Sequence, residues 1–232
     1  MLSLSADLKA QQISSLWLNG IAGISSNWIL NQNAYGNQEM NYASSLGLTG
    51  GIGTSYFINR KWGVSGSVLV SQVGQNYSGL QAGAMSRRKV TLTYLELPLL
   101  LLRQFPKMRN PTWISVGPDI LLLIKAKQEY SREEGGARLP NEEGMAEGDI
   151  TQRFKAVDIA MNISLNRMVE LNYLRSVMLL FSLNSSLGLL DINSAEWQIP
   201  NTHNVYQPSH NFYLGAKIGL MFKVARVGAP NW

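Results

Sequence analysis

Four ionisable residues interrupt the alternating apolar parts of this chain: Glu96, Asp119, Asp158 and Lys217. They sit in "YLELPLLLLRQF" (94–105), "WISVGPDILLLIK" (113–125), "FKAVDIAMNISLN" (154–166) and "NFYLGAKIGLMF" (211–222). Three carboxyls and one ammonium in such settings have two readings. One is a catalytic or transport constellation. The other is a structural network, because a charge removed from water is costly unless it is paired and hydrogen-bonded. Other chemistry is thinly represented. The chain has no cysteine, which excludes disulfides and thiolate metal ligands. Its two histidines, His203 and His210, fall in one loop with no carboxylate close in sequence, a poor metal site. His210 with a loop serine could form a nucleophile–base pair, although histidines hydrogen-bonded within a loop are the commoner case. Between Glu129 and Asp149 lie seven acidic and two basic residues and four glycines. No D-x-D-x-D-G calcium pattern occurs there, so a solvated loop is the simpler reading and a divalent-cation site the alternative. Neither a metal nor a cofactor is expected.

Composition narrows the setting. The 232 residues suit one domain, and their 45% hydrophobic content is ordinary, but only 15% are charged, well under the usual quarter of a soluble domain. A soluble surface this poor in charge would be sticky. The net charge of +5 is scattered, and "SRRK" (86–89), without interleaved aromatic residues, is its one cluster. Nucleic acid is therefore not an expected partner. Nothing approaches 18 consecutive apolar residues, so a transmembrane helix is not expected. "MLSLSADLKAQQ" lacks a basic start and an apolar core, yet "LKAQQ" resembles the end of a signal-peptidase site, with Ala10 before the cut. Residues 1–14 are read as the remnant of an export signal.

The elements that must position the four charges follow period 2. In 154–166, Val157, Ile159, Met161, Ile163 and Leu165 share one face, and Asp158, Ala160, Asn162, Ser164 and Asn166 the other. Segments 211–222, 62–72 and 113–125 repeat the pattern, with weaker members at 16–25, 46–58 and 177–190. With 89–103 these make eight strands. The connections alternate in length, from the long 26–44 and the short "NRK" (59–61) to the long 191–210. Such alternation predicts an all-β fold, an eight-stranded antiparallel up-and-down transmembrane β-barrel over 15–224, with a tail at 225–232. The second face holds Gly, Ser, Asn and single charges rather than an array of Lys and Glu. A water-facing sheet would carry far more charge, so the continuous apolar face is assigned to lipid and the four charges to the lumen. A soluble lipocalin-like barrel is the alternative.

On this reading Leu95, Leu97, Leu99 and Leu101 face lipid and Glu96 points inward, where eight strands leave room for side chains alone. Pro98 and Pro118 cannot donate to a ladder, so an irregularity is expected where their strands pair. Trp17, Trp28, Trp62, Trp113, Tyr56 and Tyr130 fall near strand ends and are expected to form interfacial girdles.

With strands so placed, the chain resembles the PorT-like outer-membrane β-barrel family typical of Bacteroidota. The residues that carry this are "GQNYSG" (74–79), "YLELPLLL" (94–101), "GPDILLL" (117–123) and "NFYLGAKIGLMF" (211–222). These motifs are short and structural, and the resemblance implies a barrel without catalytic residues to transfer. Ten residues follow Phe222, where barrels of this kind commonly end on an aromatic residue.

Three function classes follow. The first is a non-enzymatic structural or accessory subunit of an outer-membrane assembly, with outer-membrane lipid and other outer-membrane proteins as partners. The others are a narrow pore and a membrane-embedded lipid- or peptide-processing enzyme. Long loops are expected outside the cell and both termini in the periplasm.

Overall fold

Alternating residues give each strand two faces, and a barrel lets each face meet a different environment without an open edge. The computed structural model describes residues 14–31, 40–81, 83–105, 108, 110–140, 147–171, 176–200 and 204–227. Among these, ten strands occur: β1 (Ser14–Leu30), β2 (Asn41–Phe57), β3 (Trp62–Gln81), β4 (Ala84–Gln104), β5 (Thr112–Glu134), β6 (Ala137–Leu139), β7 (Gly148–Asp149), β8 (Val157–Glu170), β9 (Val177–Gly188) and β10 (His210–Val227). The eight long strands β1–β5 and β8–β10 each pair antiparallel with two neighbours, and β4 joins β5 to complete the ring. First and last strands close it, pairing from Ser14 with Val227 to Leu30 with His210, with one register shift between Leu16 and Trp17. β6 and β7 are short additions to β5. The all-β eight-stranded barrel is therefore what the alternation predicted. Among the described residues no helix is long and apolar enough to cross a membrane.

The face assignment holds through the middle of each wall. Leu99 and Leu101 are exposed, Ile163 is 52% exposed and Leu183 63%, while their strand neighbours Pro98, Leu102, Ser164 and Ser182 are buried. Along β4 the phase then inverts. From Leu95 to Leu101 the odd, apolar positions face outward and Glu96 faces in. From Ala84 to Leu92 the apolar Val90 and Leu92 face in, and the charged Arg87 and Lys89 face out. The outer solvent has changed from lipid to water. The outward run from Thr91 to Leu101, tilted by ~40°, spans roughly 25 Å, the height of a barrel's apolar band.

Three expected loops are partly strand. The stretch expected to loop at 76–88 is a tight hairpin in which Gln81 faces Ala84, with Gly83 at φ +83°. Segment 129–149 begins as strand, and β5 turns into β6 through Gly135 and Gly136, both with positive φ (+55° and +85°). A two-residue type I′ turn requires that conformation, which glycine adopts without strain. β1 also continues to Leu30, beyond the expected end at Ser25. At the other end the turns are short. Asn59 Oδ1 accepts the Lys61 and Trp62 N–H at 2.7 and 2.8 Å, which fixes the bend from β2 to β3.

The prolines leave a local mark. β4 pairs with β3 at Glu96 and Leu99 but not between, and with β5 at Pro98 and Leu101 but not between. The register is the same on both sides of each gap. A separate shift occurs at Thr93 and Tyr94, where β5 takes an extra residue.

The girdle expectation needs correction for half its members. Trp62 is exposed and Tyr56 and Trp28 are half-exposed, but Trp17, Trp113 and Tyr130 are buried on the inner face. A wide aromatic ring near a strand end can fill the lumen as well as flank the membrane, and strand phase decides which.

Candidate functional site

The lumen is built in three layers. At the short-turn end Trp17, Phe57, Leu102, Trp113, Met178 and Met221 form one buried apolar cluster. Phe57 and Trp113 meet edge to face with ring centroids 5.5 Å apart. At the long-loop end a second cluster joins Ile29, Val73, Leu92 and Tyr94 of the wall to Ile150, Phe154 and Ile192 of the loops. Polar residues occupy the space between, with cavities of about 70 and 10 Å³.

All four predicted residues reach the inner face. Glu96 and Asp119 are fully buried and Asp158 is nearly so. Ser71 Oγ donates to Glu96 Oε1 at 2.6 Å, across the β3–β4 pair. Asp119 makes no hydrogen bond of ordinary geometry among the described residues, although Glu96, Lys217 and Asn162 lie around it. Asp158 stands higher, where Asn211 Nδ2 donates both to Asp158 Oδ2 and to Tyr94 Oη, each at 3.1 Å. Lys217 projects from β10 between Gly23 of β1 and Ser182 of β9. A Cβ on Gly23 would stand 2.6 Å from Lys217 Cγ and 2.6 Å from the Ala216 carbonyl oxygen, so the lysine stem lies over the missing side chain. Lys217 and Glu96 line the same small cavity with Tyr213 and Asn184. No ion pair within 4 Å joins Lys217 to the three acids among the described residues; the pairs there lie at the long-loop end. The arrangement can hold walls together and exclude water, with three carboxyls against one ammonium.

His203 lies outside the described residues. His210 opens β10 rather than sitting in a loop, and Asp158 is within its electrostatic reach. The separation of these two in sequence hid that proximity.

A residue not singled out by sequence organises the mouth. Asp191 Oδ2 accepts the Tyr206 hydroxyl at 2.7 Å and Gln198 Nε2 at 2.8 Å, and Oδ1 accepts the Ser209 and Asn193 N–H at 3.0 and 3.2 Å. Lys155 Nζ is 3.8 Å away. Partial burial opposes its ionisation, but the Tyr206, Ser209 and Asn193 hydrogen bonds and the Lys155 charge outweigh it and hold the carboxyl below its usual range. Backbone bonds from Lys155 to Ile192 and from Ser194 to Arg153 join the two loops over the barrel, and the Arg153 guanidinium lies 4.2 Å above the Trp197 ring. The "DIN" at 191–193 carried the signal, because aspartate accepting the N–H two residues on is a standard turn device.

Beyond the apolar band, β3, β4 and β5 continue as a sheet with salt bridges Arg87–Glu133 (3.8 Å) and Lys89–Glu129 (4.0 Å) on its face. Inside it Arg88 is buried, donates from Nε to Gln128 Oε1 at 2.9 Å and lies 5.1 Å from the Tyr77 ring centre. A cleft of about 580 Å³ with both charge signs opens on this extension.

A family model described as "Outer membrane protein beta-barrel domain" matches residues 10–194. No curated protein matches the chain in sequence. Among solved structures it is similar to Neisserial surface protein A, at 13% identity and a TM-score of 0.39, covering 91% of this chain and 99% of that one. It is also similar to the outer membrane protein OprG from Pseudomonas aeruginosa, at 12% identity and 0.41, covering 92% and 97%. The outer membrane protein AlkL aligns over the whole of both chains at 11% identity and 0.43.

Proposed function

We propose that this chain, which belongs to the outer membrane protein beta-barrel domain family, is a non-enzymatic structural or accessory subunit of an outer-membrane assembly. The observation that carries this reading is the closed lumen. Apolar layers seal both ends of the polar middle, and the loops carrying Ile150, Phe154 and Ile192 cover the mouth. A barrel so filled offers its rims and outer wall, not its interior, to other molecules. The PorT-like motifs at 74–79, 94–101, 117–123 and 211–222 support placement in that narrower group. The long-loop end faces the cell exterior and the termini the periplasm, a reading supported by the short periplasmic turns and longer outer loops usual in such barrels. Outer-membrane lipid and other outer-membrane proteins are its partners, and the β3–β5 extension is the part best shaped to meet a protein.

Mild detergent extraction of native outer membranes followed by a native gel tests the reading. The chain is expected in a band well above its own 25.7 kDa. Arg87→Glu with Lys89→Glu on the extension should release it toward monomer size. A chain that runs as a monomer even after cross-linking in the membrane contradicts a subunit role.

A further inference from the structure

The two rims carry different charge. By sequence, the long-loop segments 31–40, 76–89, 125–156 and 189–209 hold nine basic and ten acidic residues. The short-turn segments 58–62, 103–112, 167–176 and 223–227 hold nine basic residues and one acid, Glu170. The chain's positive charge is therefore concentrated at the end where the strands turn tightly.

That rim has a particular chemistry. Arg60, Lys61, Arg103 and Arg167 are exposed, and among the described residues none of them makes an ion pair within 4 Å. Large apolar side chains are exposed beside them: Ile58, Trp62, Phe105, Met108 and Leu171. Arg103 Cζ lies 4.5 Å over the Trp62 ring, so the aromatic face and the cation occupy one site. An acidic soluble protein would satisfy the charges but has no use for an apolar collar that continues the lipid-facing wall. A phospholipid leaflet satisfies both. Acyl chains meet the collar, and long basic side chains extend past it to the phosphates.

We propose that this rim binds anionic phospholipid headgroups of the periplasmic leaflet through Arg60, Lys61, Arg103 and Arg167. The choice of leaflet rests on the orientation given above; the lipid chemistry does not. Each basic side chain near an anionic surface adds attraction that decays within a Debye length. The rim anchors the barrel by charge at one face, while the opposite rim, near neutrality, stays available to a partner.

The test uses the full chain in phosphatidylcholine vesicles containing spin-labelled phosphatidylglycerol or spin-labelled phosphatidylcholine, read by electron spin resonance. Phosphatidylglycerol is expected to associate with the barrel about threefold or more over phosphatidylcholine at low salt. That preference should fall toward unity in 0.5 M salt, read as a fold-change on the wild-type chain, so the result does not depend on a variant's folding. It should also fall in the combined Arg60→Gln, Lys61→Gln, Arg103→Gln and Arg167→Gln variant, and persist in Arg138→Gln, on β6 well beyond the apolar band. No preference in the wild type, or an unchanged one in the fourfold variant, overturns the proposal. Because both leaflets of the vesicle are alike, orientation does not enter this result. Orientation is read separately in the cysteine-free background: Lys61→Cys should react with an impermeant maleimide only after the outer membrane is permeabilised. Labelling on intact cells overturns the assigned leaflet and the orientation together, whatever the vesicles show.

Discussion

A carboxyl inside a membrane-spanning barrel needs a donor or a counter-charge, and the four lumenal residues meet that need unequally. Glu96 has a short bond from Ser71 (2.6 Å), while Lys217 shares its cavity without an ion pair within 4 Å. A double-mutant cycle of Glu96→Leu and Ser71→Ala, followed by urea unfolding in detergent, should therefore give coupling of about 1–2 kcal/mol. The corresponding cycle of Glu96→Gln with Lys217→Met should give less. The reverse order would make the lysine the true partner. Among the described residues Asp119 makes no hydrogen bond of ordinary geometry, so Asp119→Asn, which keeps the shape and loses the charge, should raise stability by about 1 kcal/mol; a loss of that size would mean that Asn162 or Lys217 pairs strongly with the carboxylate. Gly23→Ala should cost about 1–3 kcal/mol, because the new methyl group would press on Lys217 and on the neighbouring carbonyl. Inward placement of Glu96 was legible from its phase among four leucines. Its bond to Ser71 was not, because β3–β4 register is set by the hairpin tip at 81–84, and that turn lay hidden in a stretch that reads as a loop.

Strands were recognisable wherever one face met lipid. Above the membrane the same strands continue with charge outside and apolar groups inside, so the alternation changes sign and the ends look like polar connections. That is why β3, β4 and β5 run much farther than their apolar pattern. The inversion places the membrane boundary near Lys89 and Thr91 on β4. Leu97→Arg, on the outward face at mid-height, should cost about 2–4 kcal/mol, and Met85→Arg, on the outward face of the extension, under about 1 kcal/mol. Equal costs would remove the boundary. The loops over the mouth are a second element with a measurable dependence. Asp191 is held below its ordinary range, so its contribution is full above an unfolded value of about 3.9 and is lost as pH falls through the lower folded value. Segment 189–209 should resist proteolysis at pH 5–7 and become open to pepsin near pH 2. Asp191→Asn should make it labile across that range. Unchanged resistance would show that apolar packing alone closes the mouth.

For the whole molecule, closure in two senses defines the account. The strand ring closes through β1 and β10, which leaves no edge in the bilayer. The lumen closes through its two apolar layers, and the proposed function at the rims and the wall rests on that closure. Low charge content announced the first at the level of composition. The second could not be read from sequence, because Trp17 and Trp113 are as compatible with an outer girdle as with a plug until strand phase is known. The rims differ in chemistry: a near-neutral extension with both charge signs on one side, and a basic, apolar-collared ring on the other. The most direct check is conductance of the purified, folded chain in a planar bilayer of phosphatidylcholine and phosphatidylglycerol at high salt. The closed lumen predicts a current indistinguishable from that of the bare bilayer under steady voltage. Reproducible stepwise openings, growing linearly with voltage, would mean that water and ions pass between the layers, and would contradict a function confined to the surface.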